Sequence, residues 1–185
     1  DADFNVAVGT NALPADTFGS KSTAVGNQAL GSQNFSTATD AFNTAVGFNA
    51  GLFISTGTNN TLIGGVTGDA LTTGVQNVAV GVSALGAMTT GDKNVAIGNS
   101  ALSVANVTDG SETFNTAVGY AAGGAVTTGT INTLIGCLAG DALTTGNSNT
   151  AVGYDALGAE VQGDRNVAVG NAALKNQSNS TDLDI

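Results

Sequence analysis

The stretch Asn60-Thr-Leu-Ile-Gly64 decides the fold of this protein, because it recurs 72 residues later as Asn132-Thr-Leu-Ile-Gly136. After three further residues, each copy continues as Gly-Asp-Ala-Leu-Thr-Thr-Gly. Versions of the opening, Asn-(Thr/Val)-(Ala/Leu)-(Val/Ile)-Gly, occur ten times, 17 or 21 residues apart and once with Ser for Asn. They begin at Asn5, Ser22, Asn43, Asn60, Asn77, Asn94, Asn115, Asn132, Asn149 and Asn166. Fixed self-similarity of this length predicts an all-β, parallel β-solenoid of about ten coils.

The repeats run through the chain without a break in composition, so we expect one solenoid domain over residues 1–185. The two 21-residue spacings divide the chain into 72-residue super-repeats and predict longer loops at residues 27–42 and 99–114. We expect residues 175–185 to form a C-terminal tail. Stacking at about 4.8 Å per coil predicts a rod roughly 48 Å long.

Composition argues against several classes of protein. A hydrophobic content of 42% with 10% charged residues excludes a disordered chain. A net charge of −10 with only four Lys and Arg argues against a nucleic-acid partner, and the absence of a long apolar run argues against membrane insertion. With no His and a single Cys, Cys137, no nucleophile–base pair or metal site can be named. We therefore expect no enzyme activity, no catalytic or metal-binding residues and no cofactor.

Each opening motif is a short run of β-forming residues closed by Gly. Alternation places the Thr/Val and Val/Ile positions on one face of the strand and the Ala/Leu position on the other. Both faces are largely apolar, so we expect one to face the interior and the other to meet another chain. The candidate residues for this self-association are Val8, Val25, Val46, Ile63, Val80, Ile97, Val118, Ile135, Val152 and Val169.

Other positions of the repeat carry further predictions. The opening Asn predicts a ladder of amides along the rod, with an Asn-lined ligand face as the alternative. The closing Gly predicts a positive φ or a close backbone approach. Where Leu62 enlarges the strand, Gly68 shrinks a later position, which indicates an exchange of volume within a thin core. The pair Thr72-Thr73 before a Gly predicts a second short strand in the coil.

The long loops and the two ends suggest additional sites. Phe42 and Phe114, at the loop exits, are expected to cap a local cluster, with a binding role as the alternative. The loops also hold possible glycosylation sites at Asn34 and Asn106, which matter only if a glycosylating cell secretes the protein.

Neither end of the chain has an obvious polar capping repeat, so subunits stack head to tail or the chain is part of a longer repeat protein. The absence of an initiator Met is compatible with a processed, secreted protein. The candidate end-to-end contacts are Phe4, Asn5, Leu183 and Ile185.

The stretch Asn94-Val-Ala-Ile-Gly-Asn-Ser-Ala-Leu102 resembles the head-domain repeat of YadA-like trimeric autotransporter adhesins, Ser/Asn-Val-Ala-Ile-Gly with Ala after two further residues. Such repeats also occur in phage fibres and other surface proteins. The resemblance covers nearly the whole chain and implies a left-handed parallel β-roll that trimerises side by side on the cell surface, where it binds host matrix or other surfaces. It also implies that the second apolar strand face is the subunit interface.

The leading hypothesis is a structural or adhesive extracellular fibre protein, located on a cell or virion surface. Its partner would be itself, in a homo-oligomer or a head-to-tail filament, and possible further partners are surface or matrix receptors. An ice-binding solenoid is the first alternative, because columns of Thr on a flat β-face can order water. A segment of a phage tail fibre is the second.

Overall fold

The structure, a computed structural model, describes residues 2–177, and these form a parallel β-solenoid. We number the coils 1 to 10 by the opening residues given above. Each coil contributes one three-residue strand to a ten-stranded sheet. In chain order these strands are β1 (Val6–Val8), β3 (Thr23–Val25), β5 (Thr44–Val46), β6 (Thr61–Ile63), β7 (Val78–Val80), β8 (Val95–Ile97), β9 (Thr116–Val118), β10 (Thr133–Ile135), β11 (Thr150–Val152) and β12 (Val167–Val169).

The sheet follows chain order, and every neighbouring pair is parallel with equivalent residues opposite one another. Each coil therefore returns to the same place one strand further along the rod. This confirms the predicted all-β, parallel solenoid of about ten coils. None of the described residues forms a helix long and apolar enough to cross a membrane.

The interior contains the Ala/Leu position of the strands and the Ala and Leu residues that follow each closing Gly. The predicted exchange of volume is visible around Leu62, which is fully buried. A Cβ at Gly51 would lie 2.8 Å from Leu62 Cδ1, and one at Gly68 would lie 2.9 Å from Leu62 Cδ2. Leu134 excludes a Cβ at its own two neighbouring glycines in the same way. One strand leucine thus fills the space that, in other coils, is taken by leucines at the positions equivalent to Gly51 and Gly68.

The closing glycines combine a positive φ with a close backbone approach, so both predicted reasons for glycine are confirmed. Gly81 has φ 132°, and a Cβ on it would lie 2.5 Å from the carbonyl oxygen of Gly98 in the next coil. Such a separation leaves no room for any side chain, so this corner fixes how closely successive coils stack.

The prediction of a second strand at Thr72-Thr73 is wrong. Among residues 2–177, the only other strands are β2 (Gly19–Ser20) and β4 (Thr39–Asp40), which pair beside the first long loop. At the Thr-Thr corner the amides of Ser55 and Gly57 both donate to the carbonyl of Thr72. That arrangement lacks the alternation of donors and acceptors that a strand ladder needs.

A few polar groups are buried in the interior without having been predicted. In coil 2, where Ser22 replaces the opening Asn, Gln33 supplies the missing amide. Its Nε2 donates to Asp16 Oδ2 at 2.6 Å, and its Oε1 accepts from Asn43 Nδ2 at 2.8 Å. In coil 9, buried Glu160 accepts from the amide of Gly163 at 2.7 Å. These bonds satisfy groups that would otherwise be costly to bury.

Candidate self-association surface

The outer face of the ten-stranded sheet presents two rows of β-branched side chains. The outer row comprises all ten candidates for self-association, from Val8 to Val169, which are exposed or partly exposed. The other row has Thr in six coils and Val in four. The middle residue of every strand from β3 to β12 is buried instead. The structure therefore brings the predicted residues together in one continuous row along the rod.

Two further columns border this sheet, one just before the opening residue and one just after the closing Gly. Backbone hydrogen bonds keep both in register between coils. Gln76 N donates to Thr58 O at 3.0 Å before the strand, and Val66 N donates to Phe48 O at 2.8 Å after it. The ordered surface is therefore wider than the strands themselves.

Aromatic side chains lie on the surface of this protein, not in its core. All nine Phe and Tyr residues are among the described residues, and eight of them are exposed while Phe35 is buried. Aromatic residues are more typical of cores and interfaces than of solvent-facing surfaces. Six of the exposed ones occupy the two bordering columns next to the strands of coils 1, 3, 7 and 9: Phe4, Phe42, Phe48, Phe114, Tyr120 and Tyr154.

The prediction that Phe42 and Phe114 cap clusters beneath the long loops is wrong. Both are about half exposed, and in each case a lysine of the preceding coil covers the ring. Lys21 Nζ lies 5.2 Å from the Phe42 ring centroid and 2.6 Å from Asp40. Lys93, paired with Glu112, lies 5.3 Å from the Phe114 centroid. A cation–π contact with an anion beside it holds the ring at the surface.

The opening asparagines form the predicted amide ladder. Asn60 Oδ1 accepts from the amide of Asn77 at 3.0 Å and from its Nδ2 at 3.2 Å, while Asn77 Nδ2 also donates to Gly91 O at 2.9 Å. These side chains are fully buried. The alternative of an Asn-lined ligand face is therefore wrong, and the ladder stabilises the rod from within.

In the Thr-Thr pairs at 72–73 and 144–145, the first threonine bonds to the next coil and the second is exposed. Thr72 Oγ1 donates to Thr89 O at 3.0 Å, and Thr144 Oγ1 donates to Val161 O at 2.9 Å. The adjacent Thr73 and Thr145 are exposed. At these two corners one hydroxyl is therefore used in joining successive coils, whereas Thr89 and Thr90 both bond to the next coil through their hydroxyls.

The carboxylates of the described residues do not assemble into a reactive cluster. Burial raises the pKa of Asp69 and of Asp141, and the nearby Asp155 raises the pKa of Asp141 further. Asp155 is itself buried and pairs with Lys175 at 2.6 Å. Residues 2–177 include no group of three or more His, Cys, Asp or Glu side chains that could hold a metal ion. An open cavity of about 300 Å³ beside the second long loop is lined by residues that include Asn106, Asp109 and Thr128.

The remaining candidates are scattered over the molecule. Phe4 is 83% exposed, whereas Asn5 is tied into coil 1, because its Nδ2 donates to Gly19 O at 2.7 Å. Leu183 and Ile185 lie outside the described residues. Of the possible glycosylation sites, Asn34 is exposed. Asn106 is partly buried, and its Oδ1 accepts from Thr89 Oγ1 at 2.8 Å.

Comparisons of the chain with protein-family models, with curated proteins and with solved structures give no match. The resemblance to adhesin head repeats therefore stays a prediction from the sequence. In the described part of the chain, the outer face of the ten-stranded sheet is an extended surface with β-branched side chains in every coil.

Proposed function

We propose that this protein is a structural element of an extracellular fibre, and that copies associate side by side through the outer face of the ten-stranded sheet. The observation that carries the proposal is the unbroken double row of exposed or partly exposed β-branched side chains on all ten strands. Large contiguous apolar surfaces are uncommon on monomeric proteins and mark interaction sites.

The rest of the architecture supports a mechanical role. Successive coils are joined by the backbone ladder, by the buried amide ladder and by threonine hydroxyls. Such stacking transmits load along the rod, since each coil contacts only its neighbours. The uniform strands also present the same chemistry at every height, which suits a surface that must contact another rod over its full length.

The proposal includes a location outside the cell, on a cell or virion surface, as the adhesin-like and fibre-like repeats imply. Head-to-tail stacking through Phe4 and Asn5 at one end and Leu183 and Ile185 at the other would extend such a fibre. A surface or matrix receptor would bind faces that self-association leaves open.

Ice binding is a second candidate function, favoured by one feature of the same face. Six of the ten strands place Thr in the row nearest the start of the strand, and neighbouring strands repeat about every 4.8 Å. A flat, regular array of hydroxyl and methyl groups could order water into an ice-like layer. Thermal hysteresis at millimolar protein separates this function from the first, since a fibre element should show none.

The experiment that tests self-association compares Val80→Lys with Thr73→Lys. Val80 lies in the middle of the sheet face, and Thr73 lies exposed at a corner of the preceding coil. Both variants change the net charge equally, so charge alone cannot explain a difference between them. Sedimentation velocity over a range of concentrations should show an oligomer for the wild type and for Thr73→Lys, but a monomer for Val80→Lys. A wild-type protein that stays monomeric at millimolar concentration would refute the proposal.

A further inference from the structure

The distribution of acidic residues sets one face of the rod apart. We consider the seven-residue segment of each coil that runs from the residue before the opening position to the residue after the closing Gly. These segments are 4–10, 21–27, 42–48, 59–65, 76–82, 93–99, 114–120, 131–137, 148–154 and 165–171. None of the 14 acidic residues of the chain falls in any of them, whereas three of its four cations do: Lys21, Lys93 and Arg165.

Most of the carboxylates closest to these segments are paired with a lysine or accept a backbone hydrogen bond, whereas Asp3, next to the first segment, is exposed. Asp40 and Glu112 pair with the lysines already described. Asp92 Oδ1 accepts from the amide of Val75 at 2.7 Å, and Asp164 Oδ1 accepts from the amide of Asn147 at 2.6 Å. The border of the acid-free face is therefore poor in carboxylates that project freely towards an approaching molecule.

This distribution favours another copy of the same chain as the occupant. At a net charge of −10 two copies repel each other over most of their surfaces. The acid-free face removes that repulsion at the one place where apolar side chains are continuous. A strongly basic partner would instead be attracted to the acidic remainder of the rod.

The size of the face is that of a stable interface. Ten strands at about 4.8 Å and six residue steps at about 3.3 Å give a face of roughly 43 Å by 20 Å. Its area, about 850 Å², matches the approximately 800 Å² that each partner contributes to an interface of standard size.

Two coils of this face carry aromatic rings at both ends of their strand. In coil 3 these are Phe42 and Phe48, which are 50% and 57% exposed. In coil 7 they are Phe114 and Tyr120, which are 46% and 60% exposed. The two pairs are equivalent in the 72-residue super-repeat and lie four coils apart, or about 19 Å along the rod. Exposed aromatic residues that become buried in an interface are enriched among the residues that supply most of the binding energy.

We infer that the acid-free face docks a second copy of this chain, and that the aromatic pairs Phe42/Phe48 and Phe114/Tyr120 anchor the contact. The inference rests on the proposed self-association and names the residues that determine its strength. The strand rows supply a flat apolar area, and the four rings supply the protruding groups that bury most on docking.

The first test removes one ring from each pair. The double variant Phe48→Ser/Tyr120→Ser should raise the Kd of self-association about tenfold or more. The control is Phe53→Ser, since Phe53 is 54% exposed but lies outside the seven-residue segments. Its Kd should change by less than about twofold. Sedimentation equilibrium measures both constants, and circular dichroism checks that each variant keeps the β-fold.

The second test adds an acid without changing shape. Gln76 lies in an acid-free segment and Gln162 lies outside all of them, and both are exposed. Gln76→Glu should weaken self-association, whereas Gln162→Glu, with the same net charge, should have a much smaller effect. The difference between the two should shrink in high salt because screening removes the repulsion.

The outcomes distinguish this inference from the proposed function. If Val80→Lys dissociates the oligomer while the aromatic double variant and Gln76→Glu behave like their controls, the anchored acid-free face is refuted and side-by-side association stands. If the wild-type protein is monomeric at all concentrations, the proposed function fails first. If the aromatic double variant and Gln76→Glu weaken association and both controls do not, the inference is supported.

Discussion

The exchange of volume around Leu62 leads to a rescue experiment. Leu62 is fully buried, and its two methyl groups occupy the space that side chains at Gly51 and Gly68 would need. Replacing a buried leucine with alanine removes apolar contacts and leaves a cavity, which costs about 2–5 kcal/mol. We therefore expect Leu62→Ala alone to lower the free energy of unfolding by roughly 3 kcal/mol.

Gly68→Leu alone should also destabilise the protein, for a different reason. A Cβ at this position would lie 2.9 Å from Leu62 Cδ2, so the new side chain would overfill the core. Overpacking costs typically about 1–3 kcal/mol. The backbone at Gly68 has φ 51°, and a left-handed conformation costs a non-glycine residue about 1–2 kcal/mol more.

The double variant Leu62→Ala/Gly68→Leu should lose much less free energy of unfolding than the two single variants lose in sum. It recreates the arrangement of the next coil, where Ala79 stands in the strand and Leu85 is buried at φ 55°. The new leucine then fills the part of the cavity beside position 68 without overpacking, so what remains is the cost of the left-handed leucine, about 1–2 kcal/mol, and the unfilled space beside Gly51. Against a sum of roughly 5 kcal/mol or more, we expect a favourable coupling of at least about 2 kcal/mol.

Urea unfolding of the wild type, both single variants and the double variant measures this coupling. The control is Leu62→Ala combined with Gly140→Leu. Gly140 is the equivalent of Gly68 in the next super-repeat, and it faces Leu134. That pair should show a coupling near zero, because the two sites share no contact. Additive losses in the Leu62/Gly68 pair, or equal coupling in both pairs, would refute the account of the core given above.

Three further variants test other parts of the rod. Asn77→Ala should lower the free energy of unfolding by roughly 3 kcal/mol, because it leaves several buried partners unsatisfied, whereas exposed Asn27→Ala should change it by less than about 0.5 kcal/mol in urea unfolding. Gly81→Ala should prevent normal stacking of coils and lower the melting temperature, while Gly65→Ala, with nothing within 4 Å of its Cβ, should not. Because burial raises the folded-state pKa of Asp69 above its ordinary 3.8, its stabilising contribution is present at low pH and lost as pH rises through that folded pKa. Asp69→Asn should therefore be more stable than the wild type at neutral pH, and this advantage should disappear in acid. A difference between the two melting temperatures that stays constant from neutral to acidic pH would contradict this dependence of stability on the pKa of Asp69.

Much of the fold could be predicted because the repeat shows each position of the coil about ten times. The alternation within Asn60–Gly64 identifies the interior position, and the recurring Gly marks the corner that only glycine fits. The buried amide ladder follows from the same repetition, since a polar residue in nearly every coil can pair with its own copies along the rod. Periodicity thus specifies those features that depend only on contacts between equivalent positions.

Features that depend on contacts between different positions could not be predicted in this way. Gln33 replaces the amide that Ser22 lacks, although it lies 11 residues away along the chain. Phe42 was expected beneath its loop, but Lys21 of the preceding coil holds its ring at the surface. The acid-free segments are visible in the sequence, but their meaning requires the fold, which places ten short stretches side by side in one face.

The 72-residue super-repeat gives the acid-free face a preferred axial register, which identical coils alone would not provide. A rod of identical coils could dock against its copy at any offset of whole coils with almost equal energy, as strands with uniform side chains slip in register. Aromatic pairs in coils 3 and 7 break this equivalence, because in a parallel arrangement one pair meets another pair only at offsets of zero or four coils. An offset of four coils leaves six of the ten coils in contact, so the unshifted arrangement buries the largest area and both aromatic pairs. In the proposed fibre, the 72-residue period would thus specify the axial register that the 17-residue period leaves open.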